Sequence, residues 1–156
     1  MTLALHPDVF SLFYEPGSNI LRGRWPGLVP LAQLPACYEA MLTAAQMQGN
    51  CHFWLLDMRP RNWHSAEFAH WFTTAFVARA VATLGQPLFI AYLVADEQQV
   101  PVESAATEDM LRQAATVNCY PFYFRNEAAA LSWLHDQQAA DQPAVYGNQR
   151  RATAAR

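Results

Sequence analysis

"CHFWLLDM", residues 51–58, is the stretch on which the fold turns. Apart from His52 it has no polar alternation, and a short, nearly continuous apolar run predicts a strand buried on both faces, as in a parallel sheet covered by helices. "RPRNWH" (59–64) then leads into a helix that Ser65 is suited to cap, with Glu67 at its positive end. Phe68, Trp71, Phe72, Ala75 and Phe76 predict its packed side, and Gly85 its end.

Upstream, "VFSLFYEPGSNILRGRW" (9–25) places two β-like runs around Pro16-Gly17-Ser18-Asn19, a turn-forming set. In the second run Arg22 and Arg24 share one face and Leu21, Gly23 and Trp25 the other, the alternation of a strand with one wet side. Leu34, Tyr38, Met41 and Ala45 recur at helical spacing, with Pro35 in the first turn and Gly49 as the stop.

Downstream, "PLFIAYLVAD" (87–96) reads as a second buried strand and "EQQVPVESA" (97–105) as a loop. Residues 104–117 read as a helix burying Met110, Ala114 and Val117, and Tyr120 to Arg125 as a short aromatic strand. Asn126 is a cap for "EAAALSWLHDQQ", whose Leu131 and Leu134 point inward. The order ββαβαβαβα predicts an α/β fold: a mixed, mostly parallel sheet of about five strands covered by helices. One domain spans 1–138, and 139–156, where the apolar period is lost, reads as a flexible tail.

The 156 residues, 53% of them hydrophobic, supply one core without disulfides. With 15% charged residues and a net charge of -3, the chain has no basic field for a nucleic acid. All ten cations are Arg, so the chain offers no Schiff-base or phosphate-loop lysine. Cys37, Cys51 and Cys119 stand far apart in apolar contexts and read as buried thiols. The start lacks signal-peptide character and no apolar run reaches the roughly 20 residues of a membrane span, so a cytoplasmic protein is expected.

"WLLDMR", "FIAYLVAD" and "CYPFYFRNEAAALSWL", in this element order, resemble the STAS or SpoIIAA-like domain over roughly residues 8–136. The resemblance implies a non-enzymatic cytosolic module that binds a protein partner, with related domains binding nucleotides or apolar ligands. Regulated members of that family carry an Asp-Ser pair after the central strand, the serine being phosphorylated at a helix start. Here Asp57 is followed by Met58 and the first serine is Ser65, so the phosphoswitch is not expected.

The candidate ligand- or partner-binding residues are Asp57, Arg59, Arg61, Trp63, Ser65 and Trp71. A loop leaving the C-terminal end of a parallel strand lies where open α/β sheets place ligands, and it feeds the N–H groups of a helix start. Arg59 and Arg61 there favour a carboxylate or phosphate, and Trp63 stacks on a planar group. In the competing reading Arg59 merely pairs with Asp57 and Trp63 covers the core edge. Asp57 with Asp96 would suggest Mg²⁺, but no Asp-x-Asp pair supports it, and no metal or cofactor is expected. His64 and His70 are six apart, the wrong spacing for joint ligation on a helix, and no Gly-x-Ser-x-Gly elbow is present. No enzymatic activity is expected.

Phe68, Trp71, Phe72, Phe76, Val77 and Val81 spread over more than one helical stripe. That surplus predicts a contact with a protein partner or a homodimer. Function therefore divides between a protein-binding module and a carrier or sensor of a small anionic or apolar ligand.

Overall fold

The central strand β4 (Phe53–Asp57) is buried from Phe53 to Leu56, as its unbroken apolar run requires. A computed structural model of the chain describes residues 2–6, 10–27, 31–59, 66–95 and 105–140. Six strands form one sheet in the order β1-β2-β3-β4-β5-β6. They are β1 (Thr2–His6), β2 (Phe10–Glu15), β3 (Ile20–Arg24), β4, β5 (Leu88–Leu93) and β6 (Cys119–Phe124). The first three are an antiparallel meander, and β3 to β6 are parallel. From β2 onward the order is the expected one; β1 is an addition to the expected sheet of about five strands.

The β2–β3 turn closes through Asn19 at φ 56°, hydrogen-bonding its N–H to the Glu15 carbonyl. Each parallel pair is joined through a helical connection: α1 (Leu34–Met47), then α2 (Ala66–Trp71) with α3 (Val77–Leu84), then α4 (Ala105–Ala115). Strands added in sequence with crossovers of one hand put all these helices on one face. The burial agrees, since Leu21, Trp54, Ile90 and Tyr92 share one core with Tyr38, Phe72, Val77 and Met110. The last helix, α5 (Glu127–Ala140), lies on the opposite face with Ile20, Phe53, Leu55, Ala91 and Leu93. It continues through Ala140, two residues past the expected domain end, while residues 141–156 lie outside the described residues.

Helix two departs from expectation in the middle. Phe72–Phe76 is a π-helical segment between α2 and α3, and its wider turn carries more side chains to one side than an α-helix does. Thr73 and Thr74 hydroxyls donate to the carbonyls of Ala69 and His70 as the ladder loosens. Phe68, Phe72, Phe76 and Val77 are consequently all buried, whereas Ala75, expected inside, is exposed. Trp71 and Val81 are half-buried against the same core. The surplus that motivated a homodimer is thus mostly inside this chain. Gly85 ends α3 in the left-handed conformation at φ 72°, as its position predicts.

Tyr38 is the hub of this core, packed by Trp25, Phe68, Trp71, Phe72 and Phe76 with centroids 5.3–5.9 Å away. Each such ring pair adds about 0.5–1.5 kcal/mol beyond its buried area. The Tyr38 hydroxyl shares a short hydrogen bond with that of Tyr92, and burial, followed by the neighbouring Tyr38 and Tyr123, pushes the Tyr92 phenol well above its ordinary value. Tyr92 stays protonated, and both rings are fully buried in the core. Gly23 makes room for the same core, since a Cβ there would stand 2.8 Å from the Phe10 ring and 3.0 Å from Leu56.

Candidate functional site

The two faces of the sheet are covered unequally. α5 packs on β4, β5 and β6 and reaches Ile20 at the start of β3, while among the described residues no helix covers β2 and the end of β3 on this face. At the boundary lies a groove of about 230 Å³. Leu55, Leu93 and the half-exposed Phe13 give it apolar walls, and Ser11, Arg22, Arg24, Asp57 and Glu127 give it polar ones. The alternation seen in "LRGRW" builds it: Arg22 and Arg24 face the groove because Leu21, Gly23 and Trp25 face the helical core. Register sets their neighbours, with Ser11 opposite Arg24, Phe13 opposite Arg22, and Asp57 beside Arg24 on the parallel partner. Arg24 and Asp57 end their strands, so the groove occupies the C-terminal edge of the parallel sheet.

Asp57 is the best-held charge. Arg59 donates to it from Nε (2.9 Å to Oδ1), from Nη2 (2.7 Å to Oδ2) and from its backbone N–H (3.1 Å to Oδ1). Burial alone would raise the Asp57 pKa, but the hydrogen bonds from Arg59 and the charges of Arg59 and Arg24 outweigh it and hold the carboxyl below its ordinary value. Arg24 reaches the same carboxylate only as a 3.5 Å contact from Nε, with 57% of its side chain exposed. Among the described residues it donates no hydrogen bond, and the Ser11 hydroxyl across from it makes none either.

At the other end Arg22 serves two carboxylates. Its Nη1 and Nη2 both donate to Oε2 of Glu127 at 3.1 Å, and its Nε stands 2.9 Å from Oε2 of Glu15 without the alignment of a hydrogen bond. Glu127 opens α5, whose start is capped by Asn126 Oδ1 accepting the Ala129 N–H at 2.7 Å.

Of the residues singled out from the sequence, Asp57 and Arg59 are brought together at this edge. Their ion pair agrees with the competing reading, in which Arg59 simply neutralises Asp57. Trp71 lies across the sheet in the helical layer, 5.4 Å from the Phe76 ring centroid and 5.8 Å from that of Tyr38, away from Asp57. Arg61, Trp63, Ser65 and Asp96 lie outside the described residues. Ser11, Phe13, Arg24 and Glu127 were not selected. The wet face of "LRGRW" signalled Arg24, but Glu127 meets Arg22 only through a contact 105 residues apart in sequence.

Nucleophilic chemistry gains no support from the thiols. Cys37, Cys51 and Cys119 are buried. Burial raises the Cys51 pKa, partly offset by backbone contacts at Phe53 and Leu21, and drives that of Cys119 far up, so both remain protonated and weakly reactive. Among the described residues no three His, Cys, Asp or Glu side chains gather to hold a metal ion. No helix among them is long and apolar enough to cross a membrane. Comparison with family models, with curated proteins and with solved structures gives no match.

Proposed function

We propose that the protein is a non-enzymatic binding module of the STAS or SpoIIAA-like kind, acting in protein–protein regulation through the C-terminal edge of its parallel strands. The observation that supports this reading is the unequal covering of the sheet. One face is closed by helices, while the other exposes Phe13, 39% accessible, and Arg24 beside a charged groove. Phe13, opposite Arg22, and Arg24, opposite Ser11, line the same groove, and an aromatic ring with a guanidinium is a combination that interfaces enrich. The groove, at about 230 Å³, is smaller than the ~300–1,000 Å³ that encloses a drug-sized molecule, and it suits an anchoring side chain. Arg59, paired with Asp57, stands at the rim of this edge.

The experiment is affinity capture with tagged protein, followed by native mass spectrometry. Wild type is expected to hold one protein in stoichiometric amount, Arg24→Glu to lose it, and Arg79→Ala, which removes an ion pair with Glu39 on the helical layer, to keep it. A partner held equally by Arg24→Glu would move the working surface elsewhere. The second reading, a carrier or sensor of a small anionic ligand, draws on the side-chain donors of Arg24 and Ser11, which hydrogen-bond to no other described residue. A co-purified small mass in place of a protein would favour it.

A further inference from the structure

Among the described residues the charges around the groove sum to zero but are not evenly placed. At the β4 end Arg24 and Arg59 face the single carboxylate of Asp57, a local excess of one positive charge. At the α5 end Arg22 is the one described cation in direct ion-pair contact with Glu15 and Glu127, while Arg59, paired with Asp57, acts on Glu127 only from a distance. Between the two ends lie Leu55, Leu93 and the ring of Phe13. The groove is therefore a dipole with apolar walls.

Its hydrogen-bonding capacity is divided in the same way. Asp57 accepts three hydrogen bonds from Arg59, and the Arg24 side chain, 3.5 Å from Oδ2, hydrogen-bonds to no acceptor among the described residues. Both donors from Arg22 go to Oε2 of Glu127, and among the described residues Oε1 accepts none. Donors of positive charge thus stand unused at one end and an acceptor of negative charge at the other. Arg22 and Arg24 are two residues apart on one strand, roughly 7 Å at about 3.4 Å per residue. That spacing suits a molecule whose own anion and cation are a few bonds apart, once a hydrogen bond is added at each end.

We infer that the groove binds an amino-acid-sized zwitterion, its carboxylate on Arg24 and the Ser11 hydroxyl, its ammonium on Oε1 of Glu127, and its apolar side chain against Phe13, Leu55 and Leu93. A simple anion would meet the negative α5 end, and a simple cation the positive β4 end, so each would sacrifice one of the two attractions. The volume agrees, since about 230 Å³ is too little for a nucleotide-sized molecule and adequate for an amino acid. The inference rests on the proposed reading of this edge as the working surface, and gives that surface a small ligand that can compete with, or regulate, a partner's side chain.

The test is a ¹H–¹⁵N NMR titration of the full chain with L-leucine and L-phenylalanine at millimolar concentration. Two truncated probes accompany them: 4-methylpentanoate, lacking the ammonium, and 3-methylbutylamine, lacking the carboxylate. At least one amino acid is expected to give saturable shifts at Ser11, Phe13, Gly23 and Arg24, with both truncated probes weaker by roughly tenfold or more, the scale of a lost charge-assisted hydrogen bond. Arg24→Gln removes no side-chain hydrogen bond among the described residues and is expected to abolish those shifts while leaving the rest of the spectrum in place. Silence with both amino acids would overturn the inference, as would equal binding of 4-methylpentanoate or undiminished binding by Arg24→Gln. Silence together with a protein partner still lost in Arg24→Glu would overturn the zwitterion alone. Amino-acid binding together with a partner indifferent to Arg24→Glu would overturn the protein-partner reading alone.

Discussion

The sheet has two unlike faces. Beneath α1, α2, α3 and α4 the side chains form a dry aromatic core in which Tyr38, Phe72, Phe76 and Tyr92 have no exposure. Beneath α5 only Ala130 and Leu134 of the helix are fully buried, and the face ends in Arg22, Arg24 and Asp57, half-open to solvent. Strand alternation distributes the two characters: in β3, one residue in two goes to the core and the next to the groove. Stability is concentrated on the first face, and the second has charges that water still reaches. Ion pairs as open as Arg22 with Glu127 contribute only about 0–1 kcal/mol each, and Asp57, 14% accessible and held by Arg59, is the charge of this face that adds to stability.

Large-to-small substitutions should separate the faces most sharply. Phe72→Ala empties part of the ring cluster around Tyr38 and is expected to cost about 3–5 kcal/mol in chemical denaturation, whereas Phe13→Ala on the groove side should stay within about 1 kcal/mol. Similar costs for both would erase the distinction. Gly23→Val tests the strand that divides the faces: its new side chain meets the Phe10 ring and Leu56, and overpacking of that kind costs about 1–3 kcal/mol. A neutral outcome, read from the denaturation midpoint, would mean that Phe10 repacks freely. Asn126→Ala removes the α5 cap and should cost about 1 kcal/mol, with faster amide exchange confined to the first turn of α5. Faster exchange spread through the helical layer would show the two faces unfolding as one unit.

Much of this architecture was legible in the sequence where one local signal sufficed. The apolar run of β4, the two-residue alternation of β3, the stop at Gly85 and the cap at Asn126 each express a rule of short range. The π segment was not, because i→i+5 bonding has no residue code of its own. Its only trace is an apolar stripe too wide for a 3.6-residue period, the pattern a partner surface would also give. β1 is hard to read because it is only five residues long and its pairing with β2 is broken by a register shift between Ala4 and His6. The groove was half legible: Asp57 and Arg59 follow from the strand end, but Ser11, Arg24 and Glu127 converge only when β2, β3, β4 and the start of α5 come together.

Whether that convergence makes one electrostatic unit can be read from Asp57 itself. Its folded pKa is depressed below the usual carboxylate value near ~3.9, so it contributes stability that is present above the unfolded value and lost as pH falls through the folded one. A ¹³C-detected NMR titration of the Asp57 carboxyl, in wild type and in Arg59→Ala, measures this directly. The charged groove described above predicts a midpoint below the ordinary range in wild type that climbs in Arg59→Ala, where burial persists with only Arg24 to oppose it. An ordinary midpoint in wild type, unmoved by the loss of Arg59, would contradict it.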